Sequence, residues 1–205
     1  MYKVFSDRLV GFYSTGNIEK DSLGLLNLHK CEEVAKHSKD VAYEARRIAE
    51  KFGIDMNKAF IAGCLHDISC IFSDDEKVHM CKELGIEMLP GELVAPSLLH
   101  PKVSRAMAVE IFDICDVEIL DAIECHTTLK ANPGRMDMIL FIADKITWDE
   151  TYSKPFMEEL KKGLENSLEQ AAFAYLKYMY DNRHSMRFYH PWALEAYKDA
   201  GSKII

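Results

Sequence analysis

Apolar residues recur along this chain every three or four positions, the spacing that lines one face of a helix. No stretch of four or more residues alternates as a strand between hairpin turns. The periodicity predicts helices over residues 30–52, 56–67, 73–84, 101–112, 116–127, 135–150 and 154–181. Gly53 stops the first, and Ser73 with Glu76 at capping-box spacing starts the third. The breaks "GID", "GIEMLPGE", "APSLLHP" and "KANPGR" are short, and the chain has neither a low-complexity linker nor an internal repeat. The expectation is one all-α domain over residues 1–205, with an extension at 1–27, a core at 28–150 and C-terminal helices at 151–205. The extension has the look of a capping segment or of a contact to a second copy in a homodimer.

Charged and polar groups interrupt this apolar pattern at a few places. In "AFIAGCLHDISCIF", residues 59–72, His66 and Asp67 stand in the middle of an apolar run. Burying an ionised carboxylate costs several kcal/mol unless an opposite charge, donors or a metal compensates. On the 30–52 helix, Val34, Val41, Ala45 and Ile48 mark the inward stripe, and His37 falls on it. On the 116–127 helix, His126 follows Ile119 and Ile123 at helical spacing, so its ring also faces inward. In "MDMILFIADKIT", Asp144 is set into a helix that is apolar nearly all round. A single such histidine is most simply a satisfied core residue. Five inward His and Asp residues from four helices have a common explanation, because neutral imidazoles and carboxylates are what a divalent cation binds. His29, His79 and His184 sit among charged or amide residues and read as solvent-facing, and His190 reads as a structural hydrogen-bonding group.

Composition narrows the possibilities. A chain of 205 residues, 48% hydrophobic and 28% charged, is long enough to bury a core without staples. The net charge, 25 − 33 = −8, argues against a broad nucleic-acid surface and leaves room for a local pocket for a small anion. No apolar run reaches the roughly 20 residues of a membrane span, and the N-terminal "MYKVFSDRLVGFYSTGNIEKDS" lacks the order of a signal peptide. A cytoplasmic protein with no membrane partner is expected. Cysteines 31, 64, 70, 81, 115 and 125 include no CxxC pair and read as reduced core thiols.

The order H…HD…H…H…D resembles the HD-domain superfamily of metal-dependent phosphohydrolases. The blocks "KHSKDVAYEARRIAEKFGID", "AFIAGCLHDI", "LLHPKVSRAMA", "EILDAIECHTT", "MDMILFIADKI" and "YHPWALEAY" are similar to those of its YqeK-type branch, hydrolases of symmetrical dinucleoside tetraphosphates. The likeness covers roughly residues 28–197 and implies an HD-domain helical bundle. It also adds His100, which periodicity does not single out. By this resemblance His37, His66, Asp67 and Asp144 hold one metal, and Asp67 bridges to a second metal held by His100 and His126. Asp67 and His66 become the catalytic pair at a binuclear centre, with iron the expected metal and manganese, nickel, cobalt or zinc suited to the same donors.

Departures from the branch bear on substrate. Cys70 stands where the branch usually has lysine, Thr147 and Glu150 where it has glutamate and arginine, and Leu129 where it has glycine. Lys102 and Arg105 beside His100, and Lys130 and Arg135 around the loop after His126, are candidate replacements for the lost cations. The leading expectation is an enzyme that cuts a dinucleoside tetraphosphate, such as diadenosine tetraphosphate, into two nucleoside diphosphates. A nucleotide phosphomonoesterase, and a metal-stabilised nucleotide-binding regulatory protein with little turnover, are the alternatives.

Overall fold

The computed structural model describes residues 3–147 and 154–204, and among them there is helix and turn but no strand. A short α1 (Lys3–Ser6) is followed by α2 (Ile18–Leu28), α3 (Glu32–Lys51), α4 (Met56–Leu65), α5 (Asp74–Glu83) and α6 (Pro90–Val94). The chain continues through α7 (His100–Phe112), α8 (Val117–Cys125), α9 (Arg135–Thr147), α10 (Met157–Asn166), α11 (Leu168–Asp181) and α12 (Pro191–Ile204).

Local chemistry sets most of these starts. Asn17, Asp55, Asp116 and Ser167 each accept from a backbone N–H in the first turn of the following helix. Ser73 and Glu76 form the reciprocal capping box that their spacing predicts.

Besides the additional helices α1, α2, α6 and α12, three features differ from the expected elements. The stretch 154–181 is two helices, because Ser167 is extended at φ −158° and ψ 164° and caps α11 through Gln170 N. The two helices meet closely at Gly163, where a Cβ would lie 2.8 Å from Ala171 N. The apolar run around the HD pair ends as a helix at Leu65, so His66 is the residue after α4 and Asp67 opens a 3-10 turn over Ile68–Ile71. His126 likewise follows the last residue of α8. Finally, residues from the extension are built into the fold: Phe5, Leu25 and Leu26 are fully buried.

The buried residues form two clusters. One joins α3, α4, α8 and α9 to the three C-terminal helices. The other joins α1, α2, α5, the Ile68–Ile71 turn and the first half of α7. The HD pair lies on the seam, since Leu65 belongs to the first cluster and Ile68 to the second. α3 and α4 cross closely where Gly63 faces Ala42, and a Cβ on Gly63 would come within 2.7 Å of Ala42 N. This tight crossing brings His37 on α3 and His66 after α4 to a ring separation of 5.3 Å.

Candidate metal centre

Four imidazoles form a chain at the seam. His66 lies edge-on to His37 and to His126, and His126 to His100, with the latter two centroid distances 4.8 and 4.9 Å. Two carboxylates close the group. Asp144 Oδ1 is 3.0 Å from His37 Nε2 and 3.9 Å from His66 Nε2. Asp67 is divided: Oδ2 is 3.4 Å from His66 Nε2, while Oδ1 is 3.3 Å from His100 Nε2 and 3.5 Å from His126 Nε2. Two overlapping sets, His37–His66–Asp67 and Asp67–His100–His126, thus present ligand atoms within 4.8 Å of one another.

Three of the rings are held in one tautomer. His66 Nδ1 donates to Gly63 O at 2.8 Å, His126 Nδ1 to Ile123 O at 2.8 Å and His100 Nδ1 to Ser97 O at 2.6 Å. A carbonyl oxygen only accepts, so each neutral ring carries its proton on Nδ1 and turns a bare Nε2 inward. The carbonyls of Gly63 and Ile123 lie in the last turn of a helix, where carbonyls run out of helical partners, and that of Ser97 accepts from the His100 backbone N–H as well.

Charge follows the same logic. Burial holds His66 down at about 4, and it lowers His100 as well, so both rings stay neutral near pH 7. At Asp67 burial works against ionisation, but the facing imidazoles of His66, His126 and His100 outweigh it and hold the carboxyl well below the usual range. At Asp144 burial is likewise outweighed, by the Lys145 ammonium and then by His37. Burial opposes protonation of His37, and the bond to Asp144 reverses that and raises it.

These residues fit a divalent cation. His66 Nε2 and Asp67 Oδ1 are buried without a hydrogen-bond partner, which costs free energy unless something else binds them. His100 Nε2 and His126 Nε2 point two acceptor lone pairs at each other across 3.0 Å. Ligands bound at about 2.1 Å to one ion lie about 3 Å apart when set at right angles around it, so the spacing is that of neighbouring donors.

The centre forms the floor of a cleft of about 980 Å³, whose walls include Lys36, Asp40, Thr127, Lys145 and Thr147. The cations expected to contact phosphate do not line it. Lys102 is buried and donates to Glu92 Oε2 at 2.8 Å and to Glu87 O at 2.9 Å. Arg105 Nε lies 3.4 Å from Glu124, and Lys130 pairs with Asp121 at 2.9 Å and Asp137 at 3.2 Å. Arg135 donates to Phe52 O. Helix geometry explains the first two, because positions two and five after His100 are rotated from it by about 200° and 140°. The cleft side chains that sequence reasoning passed over, Lys36, Thr127 and Lys145, are each the immediate neighbour of a His or Asp of the centre. Glu150, where the branch has arginine, lies outside the described residues. His79 and His184 are exposed, His29 is half-buried and donates through Nε2 to Arg8 O, and His190 is buried 3.4 Å from Glu92. All six cysteines are free thiols.

Comparison with known proteins agrees with this arrangement. The family model described as HD domain matches residues 34–149. The chain is 40% identical over 151 residues to the "Uncharacterized protein in pepC 5'region" of Lactococcus lactis subsp. cremoris, covering 74% of this chain and 76% of that one. It is 29% identical over 143 residues to the symmetrical bis(5'-nucleosyl)-tetraphosphatase of Bacillus subtilis, covering 69% and 74%. A crystal structure from Clostridium acetobutylicum, described as a predicted HD superfamily hydrolase involved in NAD metabolism, superposes with a TM-score of 0.82 at 28% identity over 94% of this chain and all of that one. The matched span carries all four histidines and both aspartates of the centre, and the chain belongs to the HD domain family of metal-dependent phosphohydrolases.

Proposed function

We propose that the cleft hydrolyses a phosphoanhydride in a nucleotide, and that its substrate is a dinucleoside tetraphosphate cut symmetrically to two nucleoside diphosphates. The observation that carries this reading is the division of Asp67, one oxygen toward His66 and the other toward His100 and His126. A carboxylate shared in this way suits two adjacent cations. The name of the Bacillus subtilis relative supports the substrate.

On this reading His37, His66, Asp67 and Asp144 would hold one divalent ion, and Asp67, His100 and His126 a second. When bound, the ions would supply Lewis-acid activation of water and neutralise charge building on the phosphoryl group. The protein's own part is orientation. The Nδ1 bonds fix three rings, and Lys145 takes Oδ2 of Asp144 at 2.5 Å, which leaves Oδ1 for His37 and the centre. Asp67, with His66 beside it, is placed to orient the attacking water and accept its proton. The water oxygen bonds to phosphorus, the bridging P–O bond breaks, and one nucleoside diphosphate leaves; no side-chain nucleophile is needed.

Iron is the metal we propose, on the family resemblance, with manganese, nickel, cobalt and zinc open to the same donors. Among the described residues no helix is long and apolar enough to cross a membrane. With a net charge of −8, a free cytoplasmic nucleotide is the proposed partner rather than nucleic acid. A phosphomonoesterase is the second reading, favoured by one observation: the cleft walls bring Glu33 and Asp40 alongside Lys36, so a long polyphosphate gains little there. Product analysis of the metal-loaded protein decides. Two nucleoside diphosphates as the sole products support the proposal. A mono- plus a triphosphate, or cleavage of nucleoside monophosphates alone, would overturn it.

A further inference from the structure

The hydroxyl of Thr127 lies 3.2 Å from His100 Nε2, on the cleft side of the centre. His100 gives its Nδ1 proton to Ser97 O, so Nε2 is an acceptor and the Thr127 hydroxyl is the donor. That hydroxyl makes no other hydrogen bond among the described residues. Its neighbours behave differently. Thr128 Oγ donates to Leu129 O at 2.9 Å, and Thr147 Oγ to Ala143 O at 2.9 Å, so both protons are committed to main-chain carbonyls. Thr127 alone of the three points its proton at an atom of the centre.

An ion on His100 would take the lone pair that Thr127 uses, and the hydroxyl proton would then need another acceptor beside the ion. We propose that this acceptor is a non-bridging oxygen of the substrate's phosphoryl group, so that Thr127 contacts phosphate directly in the cleft. The inference rests on the reading of the six His and Asp residues as a metal centre. A hydroxyl suits the exchange because it changes partner by rotating about its own bonds, without disturbing the backbone that holds His126. Donation to an anionic oxygen is stronger than donation to a neutral ring, so the contact favours the bound substrate.

Thr127→Val keeps the shape and removes the proton, and Thr127→Ser restores it. The probes are manganese content per chain, the affinity of manganese-loaded protein for inorganic phosphate, and kcat/KM with a dinucleoside tetraphosphate. Thr127→Val is expected to keep its manganese while phosphate affinity and kcat/KM fall about ten- to a hundred-fold, with Thr127→Ser recovering most of both. Unchanged phosphate affinity in Thr127→Val, equal losses in both variants, or loss of manganese from Thr127→Val would each overturn the assignment. A wild-type protein that binds phosphate in a Thr127-dependent way yet leaves the tetraphosphate intact would sink the proposed substrate and uphold this contact. A wild-type protein that takes up no divalent metal would sink both.

Discussion

Ser104 donates its hydroxyl to that of Ser69 at 3.0 Å inside the core, and Ser69 passes the chain on to the carbonyl of His100 at 2.9 Å. Ser69 N closes the loop by donating to Ser104 Oγ at 3.2 Å. The pair ties the turn that follows Asp67 to the helix that starts at His100. Ser104→Ala leaves a buried N–H without an acceptor and is expected to lose about 1–3 kcal/mol of stability. It is also expected to weaken the Asp67–His100–His126 side of the centre more than the other. Denaturant unfolding and metal stoichiometry on the same sample check both effects, and full metal content would mean that the serines serve stability alone.

Asp67 reaches both halves of the centre, so Asp67→Ala is expected to remove bound metal from both and to cut kcat by more than about a hundred-fold, beyond the cost of losing a mere supporting group. His79 is exposed on α5, and His79→Ala should change neither quantity. Elemental analysis and turnover on the two variants in parallel separate ligand from bystander.

Lys102 and Glu92 form a buried ion pair 2.8 Å long, with Glu92 1% exposed. Lys102→Met leaves the buried carboxylate only the Leu89 N–H and His190 as partners, and a loss of about 3–5 kcal/mol is expected, partly recovered when Glu92→Leu is added. KM for any phosphate substrate should stay put. A rise in KM without loss of stability would return Lys102 to the cleft.

Leu129 holds a left-handed backbone, φ 58°, at the position where the resembling branch has glycine, yet its side chain is buried. Leu129→Gly relieves roughly 1–2 kcal/mol of backbone strain but empties a core site worth about 2–5 kcal/mol. The cavity outweighs the strain, and the variant is expected to be less stable by roughly 1–3 kcal/mol in urea unfolding.

Glu76 is pulled from 4.5 to about 2, chiefly by the backbone N–H of Ser73 and also by its pairing with Arg8. A carboxyl with a depressed folded pKa stabilises fully above its unfolded value and loses that contribution as pH falls through the folded one. The stability gap between wild type and Glu76→Gln should therefore be constant above pH 5 and close between about pH 4.5 and 2. Because Glu76 is partly exposed, solvent screening keeps the gap to roughly 0.5–1 kcal/mol. Thermal unfolding across that pH range measures it.

The helical class and most helix starts are legible in the sequence because period and caps are local properties. The break at Ser167 was legible too, in a serine with Gln170 three residues on, but an apolar stripe running through 154–181 masks it. α2 was hidden because its burial depends on a core cluster made by distant segments. His37 announces itself by its phase on α3, and Asp144 as a carboxylate set into a helix that is apolar nearly all round. His100 does not, since it starts its helix, and only resemblance points to it. The candidate cations lie off the cleft lining for a different reason. Lys102, Arg105 and Lys130 are close to the centre in sequence, but their directions are set by helix rotation and by the acidic partners Glu92, Glu124, Asp121 and Asp137 on neighbouring elements, which no spacing in the sequence singles out.

The Nδ1 bonds have a kinetic side. Gly63 and Ile123, which hold His66 and His126, sit in the last turns of α4 and α8, and helix ends are where local opening begins. A ring fastened to such an end could swing away from the centre only when that buried turn opens, so helix opening would limit how fast a bound ion is lost. The converse follows by linkage: an occupied centre holds those turns closed. Backbone amides at the ends of α4 and α8 would then exchange more slowly when metal is present, while those in the middle of α3 keep their rates.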